Sequence, residues 1–329
     1  MPESLKEGSP GRRLRRQEEA SSATNGLTFK IVQLADLHIS GDPTAECRDP
    51  PIEFQNVTVN CTEAITTVFV NSILDMENPD FFVFSGDTVH VPDATLRSAA
   101  IETAFLVVEA RGIPYAVIMG NHDDDYGFPR QDIMSRIYAR NLSYVESGPN
   151  HIQGVGNYAL AVKAPSDGPW GKQGEPVFRM YFLDSNNLPD EAKYPTIQSE
   201  YDWIRPQQIE YYRQLSLSNR VTPTPIPAII FYHIPVPEYA NVSRRSGARG
   251  EDIHSPKFNS HLLSTLVELG EVKATFAGPD HTNEFCAKVH DIQLCYGGRT
   301  GFGLAYSAPG LLVVLACLNG VSIRKIAVV

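Results

Sequence analysis

The sequence predicts an α/β fold, and three observations carry that expectation. Strand and helix signals alternate along the body without a visible repeat, the first three strands are joined by two helices in a βαβαβ pattern, and short polar motifs stand at the carboxyl ends of apolar runs.

Each element has its own signal. Phe29 to Leu34 reads as a strand, and Thr62 to Met76 as a helix with Ile65, Phe69, Ile73 and Met76 on one face and Pro79 after its stop. Phe81 to Ser85 is the next strand. Asp93 can cap a helix that buries Ala100, Ile101, Ala104, Phe105 and Val108 and ends at Gly112, before a third strand from Tyr115 to Met119. Further strands are expected at Phe178 to Leu183, Ala228 to Tyr232, Lys273 to Ala277 and through the C-terminal segment, where Leu311 to Leu318 reads as a buried strand. Helices are expected near Pro206 to Leu215 and Ser260 to Leu269. The stretch from Asn150 to Gly174, rich in Gly and Pro, reads as hairpin and loop.

Composition narrows the function classes. The chain of 329 residues, 42% apolar, can bury a sizeable core in one large domain or two modest ones. A net charge of −10 argues against a nucleic-acid backbone or an anionic membrane as the main partner. A phosphate-bearing substrate must then meet local cations, which metal ions can supply. No apolar stretch approaches the roughly 18 residues that span a bilayer. Residues 1–26, with Arg12, Arg13, Arg15 and Arg16 followed by Glu18 and Glu19, are expected to be a disordered tail. The apolar core of about 7 to 15 residues that a secretory signal requires does not follow these arginines.

The cysteines and sequons point the other way. Cys47 and Cys61 flank one loop, Cys286 and Cys295 flank a hairpin-like segment, and Cys317 stands alone, so two disulfides plus a buried thiol and five reduced cysteines are both open. Sequons at Asn56, Asn60, Asn141 and Asn241 suggest a secreted or lumenal glycoprotein; a cytoplasmic chain is the alternative.

The chemistry lies in five motifs: Asp36-Leu37-His38, Gly86-Asp87, Gly120-Asn121-His122-Asp123, His233 and Gly278-Pro279-Asp280-His281. Each follows a predicted strand, at the sheet edge where the loops of open α/β proteins converge on a crevice. Carboxylate oxygen with neutral imidazole suits Fe, Mn, Zn or Co. Two such ions roughly 3.5 to 4 Å apart can hold a hydroxide between them and clamp a phosphoryl group for in-line attack. His122 can assist the leaving group, with Asp123 fixing its tautomer. Taken singly the motifs are weak, since a Gly-Asp after a strand is commonly a turn and a lone His is commonly a core residue; all five at strand ends point to one dinuclear site.

Motifs of these kinds in this order resemble the calcineurin-like metallophosphoesterases, and within them the purple acid phosphatase-like branch of plants, fungi and related eukaryotes. The likeness runs from about Leu27 to Val329 and includes Glu77-Asn78-Pro79-Asp80, Trp203-Ile204-Arg205-Pro206-Gln207-Gln208 and Leu294-Cys295-Tyr296-Gly297-Gly298. It implies one phosphoesterase domain over residues 27–329, a four-layer αββα sandwich of two mixed β-sheets flanked by helices. It implies a first metal held by Asp36, His38, Asp87 and His281, and a second that shares Asp87 and takes Asn121 and His233. The family's last motif is Gly-His-Asp-His, and Pro279 stands where its first His completes the second metal. The second site is therefore expected to be weaker by about 10 to 100-fold or more. Pro279 leaves two functions open: a phosphomonoesterase acting on a small phosphoester or a phosphoprotein, or a pseudophosphatase with a binding or regulatory role.

Other positions are weighed beside these. His90 stands where purple acid phosphatases have their colour-giving tyrosine, so no purple form is expected; it is a substrate-facing or replacement group, or a solvated loop residue. His254 and His261 are considered as replacements for the missing imidazole, although Ser255-Pro256 and a helical setting explain them without metal. Asn121, His122 and Arg299 are expected to face substrate, Arg299 through its guanidinium fork unless it is simply a surface turn.

Overall fold

The computed structural model describes residues 28–49, 61–168, 171–197, 201–218, 220, 225–307, 314–319 and 322–327. The expected tail and the sequons at Asn56 and Asn60 lie outside them. Along the chain run β1 (Lys30–Leu34), α1 (Ala64–Glu77), β2 (Phe81–Ser85), α2 (Arg97–Glu109), β3 (Tyr115–Ile118), α3 (Arg130–Tyr138), β4 (Tyr158–Lys163), β5 (Pro176–Phe182), α4 (Pro206–Ser218), β6 (Ala228–Phe231), β7 (Ser246–Arg249), α5 (Leu262–Leu269), β8 (Val272–Ala277), β9 (Asn283–Val289), β10 (Ile292–Tyr296), β11 (Val314–Asn319) and β12 (Ser322–Ala327).

The βαβαβ unit forms as the sequence predicts, with β1, β2 and β3 parallel. Helix α1 stops at Asn78, whose left-handed backbone returns its N–H to Leu74 O, so that Pro79 follows the stop. Asp93 caps a short 3₁₀ turn, Ala94–Leu96, and α2 begins only after it, at Arg97. The segment 150–174 contributes β4, which pairs antiparallel with β5.

Two sheets result, ordered β12-β11-β1-β2-β3 and β4-β5-β6-β8-β10-β9-β7. Alternation along the second sheet shows how they pack. Met180, Phe182, Ile229 and Phe231 join one core with β1, β2, β3, α1 and α2, whereas Tyr181, Leu183, Ile230 and Tyr232 join another with α4 and α5. The central strands of the second sheet are therefore buried on both faces, which explains the apolar runs in which β5, β6 and β8 end. The layers run helix, sheet, sheet, helix, as the four-layer expectation has it. Of the two alternatives for the cysteines the paired one holds: Cys47–Cys61 and Cys286–Cys295 are disulfides.

Candidate metal centre

The ends of β1, β2, β3, β6 and β8 bring the five motifs to one edge. Backbone pairing continues past the strands: Asp36 N donates to Gly86 O at 3.1 Å, His38 N to Asp87 O at 2.9 Å and Ile39 N to Thr88 O at 3.1 Å. Asp36, His38 and Asp87 sit at φ of 55°, 47° and 49°, a left-handed backbone that non-glycine residues adopt where surrounding structure imposes it. Two glycines allow the loops to close. A Cβ on Gly86 would lie 2.2 Å from His233 Nδ1, and one on Gly120 would lie 2.1 Å from Asp87 Oδ1.

The side chains converge in two overlapping groups. Asp36, His38 and His281 form one, and Asp36, Asp87 and His233 the other. His38 Nε2 is 3.1 Å from His281 Nε2 and 3.5 Å from Asp87 Oδ2, while His281 Nε2 is 3.5 Å from Asp36 Oδ1. His233 Nε2 is 3.3 Å from Asp87 Oδ2 and 3.8 Å from Asp36 Oδ1. Asp87 Oδ2 thus lies between imidazoles of both groups, as a bridging carboxylate must. Its other oxygen is taken by the His122 N–H at 2.7 Å.

The inward atoms face one another but make no proper hydrogen bonds. Asp36 Oδ1 and Oδ2, Asp87 Oδ2, Asn121 Oδ1 and His233 Nε2 are buried and make no hydrogen bond of acceptable geometry. Buried polar atoms are almost always satisfied, and orphans gathered at one point fit a cation. The outward nitrogens agree: His281 Nδ1 meets Tyr306 O at 2.9 Å and His233 Nδ1 meets Ser85 O at 3.0 Å, so each ring can donate outward and keep an inward lone pair.

Electrostatics separate the two groups. Burial holds His38 and His281 below the usual imidazole range, His281 at about 3, so both are neutral and ready to ligate. For His233 burial acts downward, but the Asp87 and Asp36 carboxylates outweigh it and raise the ring to about 9. Burial alone would raise Asp87, but His233 and His38 outweigh it and hold that carboxyl low, whereas for Asp36 burial, aided by the neighbouring Asp87 charge, outweighs His233 and pushes the carboxyl up. Pro279 is buried and follows Gly278, which closes on His233 and Asp36, and its side chain has no donor atom to add to this group.

Two expected roles change. Asp123 does not orient His122: its carboxylate accepts from the N–H groups of Asp87 at 2.9 Å, Val89 at 2.9 Å and Gly120 at 2.6 Å, which ties the second and third loops together. The partner of His122 Nδ1 is Asp125, at 2.6 Å, on a half-exposed rim. The spacing of three residues between His122 and Asp125 is the signal that could have found it. Arg299 is not at the surface either. It is 2% exposed and donates to Ala305 O at 2.9 Å and Asp49 O at 3.1 Å, so its fork holds the chain behind His281 and does not face a substrate.

The considered replacements also lie elsewhere. His254 Nδ1 meets Asp280 Oδ1 at 2.6 Å, in a group with Glu251, and His261 is exposed at the start of α5. One residue the sequence did not suggest is Arg130. It donates to Gly120 O at 2.9 Å, to Asp124 Oδ1 at 2.6 Å and to Asp184 Oδ1 at 2.9 Å, clamping the third loop to the end of β5.

A two-sheet sandwich flanked by helices, with carboxylates, an amide and imidazoles gathered at its strand ends, defines the metallophosphoesterase class of hydrolase fold. The calcineurin-like phosphoesterase family model matches residues 29–298, and the chain belongs to that family. It is 32% identical over 297 residues to the probable inactive purple acid phosphatase 29 of Arabidopsis thaliana, covering 86% of this chain and 74% of that protein. It is 33% identical over 289 residues to the phosphatase DCR2 of Saccharomyces cerevisiae, covering 82% of this chain and 47% of that protein. Among solved structures, a dimetal phosphatase from Danio rerio has the same fold, with a TM-score of 0.57 at 16% identity over 91% of this chain and 98% of that one.

Proposed function

We propose that this chain is a metal-dependent phosphomonoesterase with one strong and one weak ion site. The observation that carries the reading is the set of buried oxygen and nitrogen atoms of Asp36, Asp87, Asn121 and His233 that face one another without hydrogen-bond partners. Asp36, His38, Asp87 and His281 would hold the first ion, and Asp87, Asn121 and His233 the second. Ions bound there would supply Lewis-acid polarisation of the phosphoryl oxygens and lower the pKa of water at the centre.

The chain's own residues do the rest. His122 stands on the half-exposed rim, with its Nδ1 proton held by Asp125, so its Nε2 is the atom that exchanges a proton with the leaving-group oxygen. Asp125 stabilises the charged ring while that proton is in hand. The Asn121 amide is buried at the edge of the pocket and orients the phosphoryl group as well as the second ion. Asp123 and Arg130 fix the loop that carries both residues.

The experiment is hydrolysis of a generic aryl phosphate with added Mn, Zn, Fe or Co, alongside metal content. Turnover that Asp87→Ala abolishes supports the enzyme. A second reading, a pseudophosphatase with a binding role, is favoured by Pro279; zero turnover that Pro279→His restores would establish it. Two disulfides and the exposed sequon asparagines Asn141 and Asn241 support a secreted or lumenal compartment, which a mass shift on endoglycosidase treatment tests.

A further inference from the structure

We propose that His90 is a positioning residue for the metal centre: it accepts a hydrogen bond from the outer nitrogen of His38 and, through Asp125, links that ligand to His122. The inference rests on the ligand assignment above. A histidine that ligates through Nε2 carries its proton on Nδ1 and needs an acceptor there. His281 and His233 find backbone carbonyls for this purpose. His38 faces the Nδ1 of His90, at 3.2 Å.

The proton positions follow. With His38 donating, His90 Nδ1 is the acceptor, so the proton of the neutral His90 ring lies on Nε2. That nitrogen faces Asp125 Oδ2 at 3.6 Å, and the same oxygen accepts from His122 Nδ1 at 2.6 Å. One arrangement of protons therefore suits all four side chains. The opposite tautomer of His90 would set two N–H groups against each other.

The ring is also held in place. His90 stacks with His122 at 4.7 Å and 22° and with Tyr126 at 5.7 Å and 19°, and its backbone N–H donates to Ile39 O at 3.0 Å. Both ring nitrogens are thus directed at His38 and Asp125, so His90 is neither a replacement ligand nor a substrate-facing group. It couples the orientation of a first-ion ligand to that of the leaving-group imidazole.

The test is the zinc affinity of the full chain, measured by competition with a chelating dye after bound metal is stripped, for wild type, His90→Phe and His90→Gln. Phe keeps a stacked ring and removes the acceptor; Gln keeps an acceptor and removes the ring. His90→Phe should lose about 10 to 100-fold at the tighter site, with His90→Gln much closer to wild type. Wild-type affinity in His90→Phe, or equal losses in both variants, would overturn the proposal. A third zinc that disappears in both would also overturn it, by making His90, His122 and Asp125 an ion site.

If His90→Phe does not fold, nitrogen NMR of the zinc-loaded wild type decides. His38 protonated at Nδ1 and metallated at Nε2, with that proton bonded to His90 nitrogen, supports the link; metallation through Nδ1 refutes it. A wild-type chain that takes up no zinc removes the metal centre itself and this link with it. A loss absent from the His90 variants removes the link alone.

Discussion

At the scale of single residues, neighbours in sequence have divided the labour. His122 takes its partner from Asp125, while Asp123, the residue beside it, faces inward to three backbone N–H groups. His122→Ala should therefore slow hydrolysis of alkyl phosphates by about 10² to 10⁴-fold, and aryl phosphates with good leaving groups much less; kcat across a leaving-group series measures this. Arg299→Ala should act on stability. Two carbonyls would lose a buried donor, at about 1 to 3 kcal/mol each for groups left unsatisfied, read as a lower denaturation midpoint with KM unchanged. The candidate ligands at positions 36, 38, 87, 121, 233 and 281 could be singled out in the sequence because metal chemistry restricts residue identity. The roles of Asp123 and Arg299 were not, because nothing in a sequence tells whether a carboxylate or guanidinium points at a substrate or at the backbone.

At the scale of elements, the centre depends on strand ends that approach without side chains between them. Gly120→Ala tests this directly. The added methyl would meet Asp87 at its Oδ1 and, 2.4 Å away, at its backbone nitrogen, so the bridging carboxylate must move. Expected is loss of bound metal with the far-ultraviolet dichroism of the fold retained. The strands and helices themselves were readable from periodicity and punctuation. The βαβαβ unit and the stop at Asn78 follow from local signals, whereas the 3₁₀ turn ahead of α2 depends on Thr95 N meeting Asp93 Oδ1, a contact that periodicity does not encode. The clamp from Arg130 to Asp184 was hidden for a different reason: it joins residues 54 apart across the two sheets.

At the scale of the whole molecule, two packed sheets create a buried pocket whose charge state opposes metal uptake on one side. His233, raised to about 9 in the metal-free chain, is protonated at neutral pH, and its pairing with Asp87 stabilises the fold. That stability is fully present below about 6.5, the ordinary imidazole value, and is lost as pH rises through about 9. Binding at the second group must displace the same proton, so metal affinity there should climb over this window, as titrations at pH 6.5, 7.5 and 9 would record. The order of the layers was expected from the family resemblance; the alternation of Met180 and Phe182 with Tyr181 and Leu183 between two cores gives its physical reason.

The central claim is that the pocket holds one complete ion site beside one that lacks a ligand at Pro279. Metal content by mass spectrometry, on the wild type and Pro279→His after equal dialysis against a weak chelator, tests it most directly. The account predicts about one tightly held transition-metal ion per chain in the wild type and two in the variant. Two tightly held ions in the wild type, or no gain in Pro279→His, would contradict it.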